Sequence, residues 1–376
     1  MNRYKLLVPA CCGFCFFLGV ELGGFQLVLM RLAEFFSLSP VMMGFLVTAQ
    51  YAAITLAPVC TGPLGDRFGK KKLLVVFAPL FIAGCFLTVA SPSIPVFLAA
   101  IFLVGASYSV CESAVSSVIA DTFPEKQSRY LNMTQCFMSM GAVLSPLAYS
   151  RLFPGSWRIA FITPAIGFGL FFPLLCLSRC SKHPAAGDDR GGYRDLFRRP
   201  LLWVLIFAMI SYLIMETGMS FFANSLFIWE YGNAALGALS ISVFWCAQTI
   251  SRFVFAWLPL KKRTMVLLGF SSSVLLLVLL IAARNPQTSL VLYGILGFMM
   301  GPVWPMIVGT GAHSFPAQSG AAVGILAASG GLGGIITPPL IGFLSERYGI
   351  YSGFASIAVF AAAAFILVFC KVKEKR

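Results

Sequence analysis

The sequence predicts an all-α membrane protein of twelve transmembrane helices in two pseudo-symmetric six-helix halves. Three observations carry this expectation. Apolar residues make up 59% of the 376, charged residues only 11%, and the mean hydropathy is +0.89; a soluble core of this length could not hide so much apolar surface, so lipid must be its solvent. Twelve stretches reach the ~20 apolar residues that cross a bilayer. Finally, sliding the chain by 192 residues brings Gly105 onto Gly297, Ala120 onto Ala312, Phe123-Pro124 onto Phe315-Pro316, Gly141 onto Gly333, Pro146 onto Pro338 and Leu152 onto Leu344. One offset without gaps implies parallel halves related by an axis along the membrane normal.

The expected spans are residues 6–30, 41–64, 73–90, 95–120, 131–152, 158–178, 200–229, 234–257, 264–283, 288–312, 320–344 and 350–370. The first, preceded by MNRYK, could pass for a secretory leader. It is too long and lacks a small-residue cleavage site, so it reads as an uncleaved span. The expected domains are 1–178, a polar, Gly-rich linker at 179–199, and 200–376. Tyr193 to Arg199 is expected to form a short helix at the membrane surface. In the tenth span, Pro302 and Pro305 predict a bend or break near mid-membrane that frees backbone carbonyls.

Between spans two and three the apolar pattern breaks at GPLGDRFGKKK, Gly62 to Lys72. Gly62, Gly65 and Gly69 permit close helix approach and a tight reversal. Asp66 can cap a helix or pair with a cation. Arg67, Lys70, Lys71 and Lys72 mark a cytoplasmic face. On the 192 offset Lys70 and Lys71 fall on Lys262 and Arg263, a worn copy of the same cluster.

A net charge of +14 would suggest nucleic acid in a soluble protein, so its distribution decides. With both termini cytoplasmic, 21 of the 27 Lys and Arg lie on the inner side, five lie outside (Arg31, Arg151, Arg158, Arg284, Arg347), and Arg252 falls inside a span. The charge therefore reads as topology plus contact with anionic lipid in a plasma (cytoplasmic) membrane, with no nucleic-acid partner. Most of the eleven cysteines lie in spans, as small packing residues do. Cys12 and Cys15 have C-x-x-C spacing without a second ligand pair, so no metal site is expected. With two histidines, and neither H-E-x-x-H nor G-x-x-x-x-G-K, the sequence predicts no enzyme and no cofactor.

The chemistry is expected inside the bilayer, where an ionisable group is costly and marks function by default. Glu21, Glu112, Glu216 and Arg252 qualify. A carboxyl in a low-dielectric cavity can exchange protons near neutral pH, as proton-coupled transport requires. Arg252 could instead snorkel toward Lys261–Arg263. Gln26, Gln50, Tyr51, Tyr108, Asn132, Gln135, Asn224, Trp245, Gln248 and Trp304 add amides that bind vicinal hydroxyls and rings that stack on sugar faces. Each of them also fits interhelical packing.

The order G-x-L-G-D-R-x-G-K-K-K resembles the loop between spans two and three of the major facilitator superfamily. Gly105–Pro124 followed by Leu131–Gln135, then Gly297–Pro305 and Gly324–Gly349, resemble the fucose and glucose/galactose proton-symporter branch of that superfamily. The resemblance implies alternating access around a midplane site. It implies for Glu112 a role in proton coupling and sugar binding, helped by Glu21 or Glu216, and a gating role for the loop residues Gly62, Gly65, Asp66, Arg67, Gly69, Lys70 and Lys71, with Asp66 and Arg67 holding the gate. The branch's span-one acid falls near Gln26, whereas the acid here is Glu21. Glu216, in Tyr212–Gly218, resembles the span-seven acid of sugar-type relatives. Gly141 to Pro146 faintly resembles a glycine-proline motif of drug/proton antiporters, although the copy at Gly330–Pro338 carries more of the glycines. The expected function is proton-coupled uptake of a sugar or related small polar metabolite, with drug/metabolite:proton antiport as the alternative. The expected partners are the substrate, the proton and the bilayer, and a monomer suffices.

Overall fold

The computed structural model describes residues 6–123, 127–180, 196–257, 261–315 and 319–372. Within its helices, the side chains at 58–59, 62–68, 120–121, 127–129, 131–132, 256–257, 312–313, 319–321 and 323 lie outside the description. The expected gating residues Gly62, Gly65, Asp66 and Arg67, the side chain of Asn132, and residues 193–195 of the expected linker helix therefore fall outside the described residues.

Thirteen helices follow in order: α1 (Leu7–Phe35), α2 (Pro40–Phe68), α3 (Lys70–Ala90), α4 (Ile94–Thr122), α5 (Gln127–Leu152), α6 (Ile159–Leu177), α7 (Pro200–Tyr231), α8 (Ala234–Trp257), α9 (Lys262–Ala283), α10 (Pro286–Met300), α11 (Val303–Ser314), α12 (Ser319–Tyr348) and α13 (Ile350–Lys371). Helices α10 and α11 are two pieces of one bent span, which leaves twelve. Among the described residues, eleven are long and apolar enough to cross a membrane. The twelfth, α5, is 26 residues long but carries Thr134, Gln135, Ser139 and Ser145, which lower its hydropathy. The protein is thus a multi-pass helical membrane protein. The first span runs beyond its expected end at residue 30, to Phe35. Its last turn is tied to the end of α5 by Arg31 Nη1, which donates to the Phe153 carbonyl at 3.2 Å.

The turns use the expected chemistry. Gly69 alone separates α2 from α3 at φ +100°, a conformation a side chain would strain. Gly232, in the left-handed region at φ +61°, ends α7, and the next residue, Asn233, starts α8 by accepting from Leu236 N–H at 3.0 Å. Asn285 caps α10 through Thr288 N–H, with Pro286 in the first turn.

The chain divides into two compact units, Met1–Ser37 with Ala49–Gly187, and Leu38–Thr48 with Asp188–Arg376. In the first, α1 is innermost: 83% of its apolar window is buried, against 33% for α3. It packs on α4, α5 and α6. Gly19 and Gly23 sit against the Met138 and Ala142 carbonyls, and Gly141 against that of Phe16, so the α1 and α5 backbones touch. In the second unit α7 holds the corresponding place against α8, α12 and α13. The start of α2 also groups here, with Thr48 Oγ1 donating to the Ile335 carbonyl at 3.0 Å.

The repeat has a packing cause. Gly105 meets the Gln50 carbonyl and Gly297 the Phe244 carbonyl, and in both cases a Cβ would stand 2.5 Å from that oxygen. Likewise Gly141 meets the Phe16 carbonyl and Gly333 that of Ile210. Each equivalent pair marks a helix crossing that tolerates no side chain. Gly105→Val or Gly297→Val should therefore destabilise the purified protein by about 1–3 kcal/mol, read as a lower unfolding midpoint in detergent.

The basic residues of the repeat also act alike. Lys71 Nζ donates to the Ser178 carbonyl at 2.6 Å and to that of Cys176 at 3.2 Å, at the C-terminal end of α6. Its counterpart Arg263 donates from Nη2 to the Phe369 carbonyl at 2.8 Å, at the C-terminal end of α13. Cations there satisfy the last carbonyls and oppose the helix dipole. For Lys71 the structure thus supplies a capping role that its sequence context did not suggest.

Candidate functional site

Each unit carries a carboxyl at the middle of its innermost helix. Glu21 lies at the midpoint of α1 and is fully buried. Its Oε1 accepts a hydrogen bond from Gln50 Nε2 of α2 at 2.9 Å, while its Oε2 is buried without a hydrogen-bond partner. A buried polar oxygen without a partner is expensive, which marks this carboxyl as more than a packing group. Gln50 is held in place because Gly105 lets α4 close onto its backbone.

Beside this pair stand the other first-unit candidates. Tyr108 is buried on α4, its hydroxyl 3.8 Å from Met138 Sδ, and Glu21, Tyr51, Cys15 and Glu112 are its electrostatic neighbours. Glu112 follows one turn later on α4 and is half-buried, with the Gln135 side chain of α5 close to its carboxyl. Gln135 is exposed, whereas Gln26 is buried on α1. Helices α1, α2, α4 and α5 thus bring Glu21, Gln50, Tyr108, Glu112 and Gln135 into one group.

In the second unit Glu216 occupies the middle of α7. Its Oε1 accepts from Tyr212 Oη at 2.6 Å and from Gln248 Nε2 of α8 at 2.9 Å, and Gln248 also donates to Tyr212 at 3.2 Å. Arg252, one turn further along α8, places Nη2 at 3.8 Å from the same oxygen. Acid on the first helix and glutamine on the second therefore recur in both units.

Arg252 does not reach for the basic cluster at Lys261–Arg263, as snorkelling would require. Its Nε donates to the Gly301 carbonyl at 3.2 Å. The prolines explain this contact. In a continuous helix the carbonyls of Phe298 and Gly301 would accept from the N–H groups of residues 302 and 305, and both are proline. Ser251 Oγ donates to the Phe298 carbonyl and Arg252 Nε to that of Gly301. Neighbouring residues of α8 thus satisfy the two carbonyls that the break between α10 and α11 frees. Trp304 lies just past the break on α11 and is 38% exposed. Trp245 is buried, edge-on to Phe244, and the buried Asn224 packs against Gly237.

Sequence reasoning gave no role to Tyr212 or Ser251. For Tyr212 the signal was its i, i+4 spacing from Glu216. For Ser251 it was the carbonyl four residues before Pro302, although the donating helix could not be read from sequence.

Such a bundle, with ionisable groups on the inner helix of each unit, is of the class built for membrane transport. The family model of the Major Facilitator Superfamily matches residues 10–293 and 218–376, and the chain belongs to that superfamily, whose members are transporters and not enzymes. Among curated relatives it is similar to the galactose-proton symporter of Escherichia coli strain K12, 27% identical over 181 residues, which are 46% of this chain and 38% of that one. The chain thus spans well under two thirds of that relative's length. Its fold is similar to the crystal structure of a D-xylose-proton symporter, with a TM-score of 0.79 at 15% identity, covering 98% of each chain. It is also similar to the E. coli fucose:proton symporter, with a TM-score of 0.67 at 17% identity, covering 99% of this chain and 100% of the other.

Proposed function

We propose that the protein is a secondary active transporter working by alternating access, which couples the entry of protons to uptake of a sugar or related small polar metabolite. The observation that carries this reading is the recurrence of an acid–glutamine pair on the first two helices of each unit, Glu21 with Gln50 and Glu216 with Gln248. An acid met by a neutral amide exchanges a proton without losing its partner, because an amide can donate to the carboxylate and accept from the acid. Glu112, half-buried beside Gln135, is the acid placed to meet both proton and substrate. Tyr108, Asn224, Trp245, Gln248 and Trp304 supply the donors, acceptors and rings that hydroxylated ligands use. The relatives named above, which transport galactose, xylose and fucose with protons, support the same class.

The orientation proposed from the charge distribution places both termini in the cytoplasm. The reading is tested by uptake of radiolabelled D-galactose, D-xylose and related polar metabolites into proteoliposomes under an inward proton gradient. Accumulation that a protonophore abolishes is the expected result; uptake that ignores the gradient would exclude proton coupling.

A further inference from the structure

We infer that Arg252 is the recognition residue for an anionic group, so that the substrate is a carboxylate-bearing polyhydroxy compound, a sugar acid and not a neutral sugar. This rests on the proton-coupled reading above and narrows its substrate class.

The argument starts from what the guanidinium is not needed for. It caps the Gly301 carbonyl through Nε alone. At the neighbouring carbonyl of Phe298 a neutral hydroxyl, that of Ser251, does the same work. Capping the proline break therefore requires one donor and no charge. Nor does Glu216 need a cation to be satisfied, since its Oε1 already accepts from Tyr212 and Gln248 at 2.6 and 2.9 Å. The guanidinium approaches that oxygen only to 3.8 Å, looser than the ~2.8 Å of a charge-assisted hydrogen bond. A full positive charge inside a membrane-spanning bundle is costly, and Glu216 stands within ion-pair range of it without a direct hydrogen bond. The Arg252 side chain also remains 37% exposed, against 15% for Glu216, so beyond Gly301, Glu216 and the Tyr212 hydroxyl it is open to a further partner.

The charge balance identifies that partner. With Glu216 ionised, the pair with Arg252 is neutral. Beside Glu216 stand Tyr212 on its own helix and Arg252 on α8. A proton on Glu216 leaves the guanidinium's charge unopposed, and a bound carboxylate restores neutrality through the planar, two-donor face that arginine offers. Proton and anion then each favour the other's binding, a reciprocity that linkage requires. One proton moving with one monoanion carries no net charge.

The test uses the purified full chain in proteoliposomes, with radiolabelled D-gluconate, D-galactonate and D-glucuronate set against D-glucose and D-galactose. Membrane potential is clamped with potassium and valinomycin. The expected result is accumulation of at least one acid under an inward pH gradient, insensitive to an imposed potential. Arg252→Gln should lower it by about tenfold or more, and Arg252→Lys, which keeps the charge, should retain part of it. Should Arg252→Gln fail to fold, the preference for acid over neutral sugar and the Lys variant decide. Proton-coupled uptake of the neutral sugars with none of the acids would overturn this inference and leave proton symport standing. Acid uptake unchanged in Arg252→Gln would also overturn it. Absence of proton-coupled flux with every compound would remove both readings.

Discussion

Glu216→Leu is expected to destabilise the protein by roughly 2–4 kcal/mol, whereas Glu216→Leu/Arg252→Leu should recover most of the loss. Removing one member of a buried ion pair typically costs ~3–5 kcal/mol because the other charge stays behind, and partial exposure of Arg252 lowers the figure here. Tyr212 and Gln248 also lose the oxygen to which both donate. The double variant removes the stranded charge but leaves the Gly301 carbonyl without its Nε donor and Tyr212 and Gln248 with only each other, a residual cost of about 1–2 kcal/mol. Unfolding midpoints in detergent for the parent, both single variants and the double variant form a double-mutant cycle. A coupling energy near zero would mean that the two side chains do not act as a pair.

Glu112→Gln should abolish accumulation against a gradient while leaving exchange of substrate across the membrane. The amide keeps the shape and the approach of Gln135 but cannot carry a proton, so the substrate would equilibrate without being driven. A fall of at least about tenfold in proton-driven uptake, with counterflow within a few-fold of the parent, is expected. Loss of both activities together would assign Glu112 to substrate binding alone. Unchanged proton-driven uptake would remove it from coupling.

Much of the fold was legible because a repeat reports packing as well as composition. Gly105 with Gly297, and Gly141 with Gly333, align in sequence because each stands where two helix backbones touch. Lys71 and Arg263 align because each caps the last helix of its half. The break at Gly301–Pro302 follows from proline's missing N–H. The span boundaries were less legible, since α1 continues to Phe35 through the polar residues Arg31 and Glu34. The pairing of side chains between helices was not legible. Glu216, Gln248 and Arg252 could each be singled out, but that they share one carboxyl oxygen depends on how α7 and α8 are rotated about their axes. Apolar periodicity in an almost uniformly apolar helix does not fix that rotation. The same holds for Glu21 with Gln50.

The most direct test of proton-coupled transport is the external pH of a weakly buffered suspension of proteoliposomes on adding sugars, sugar acids and apolar cations one at a time. Symport predicts alkalinisation outside on adding a sugar or sugar acid, absent in Glu112→Gln vesicles. A proton movement evoked only by apolar cations would contradict symport and identify an antiporter.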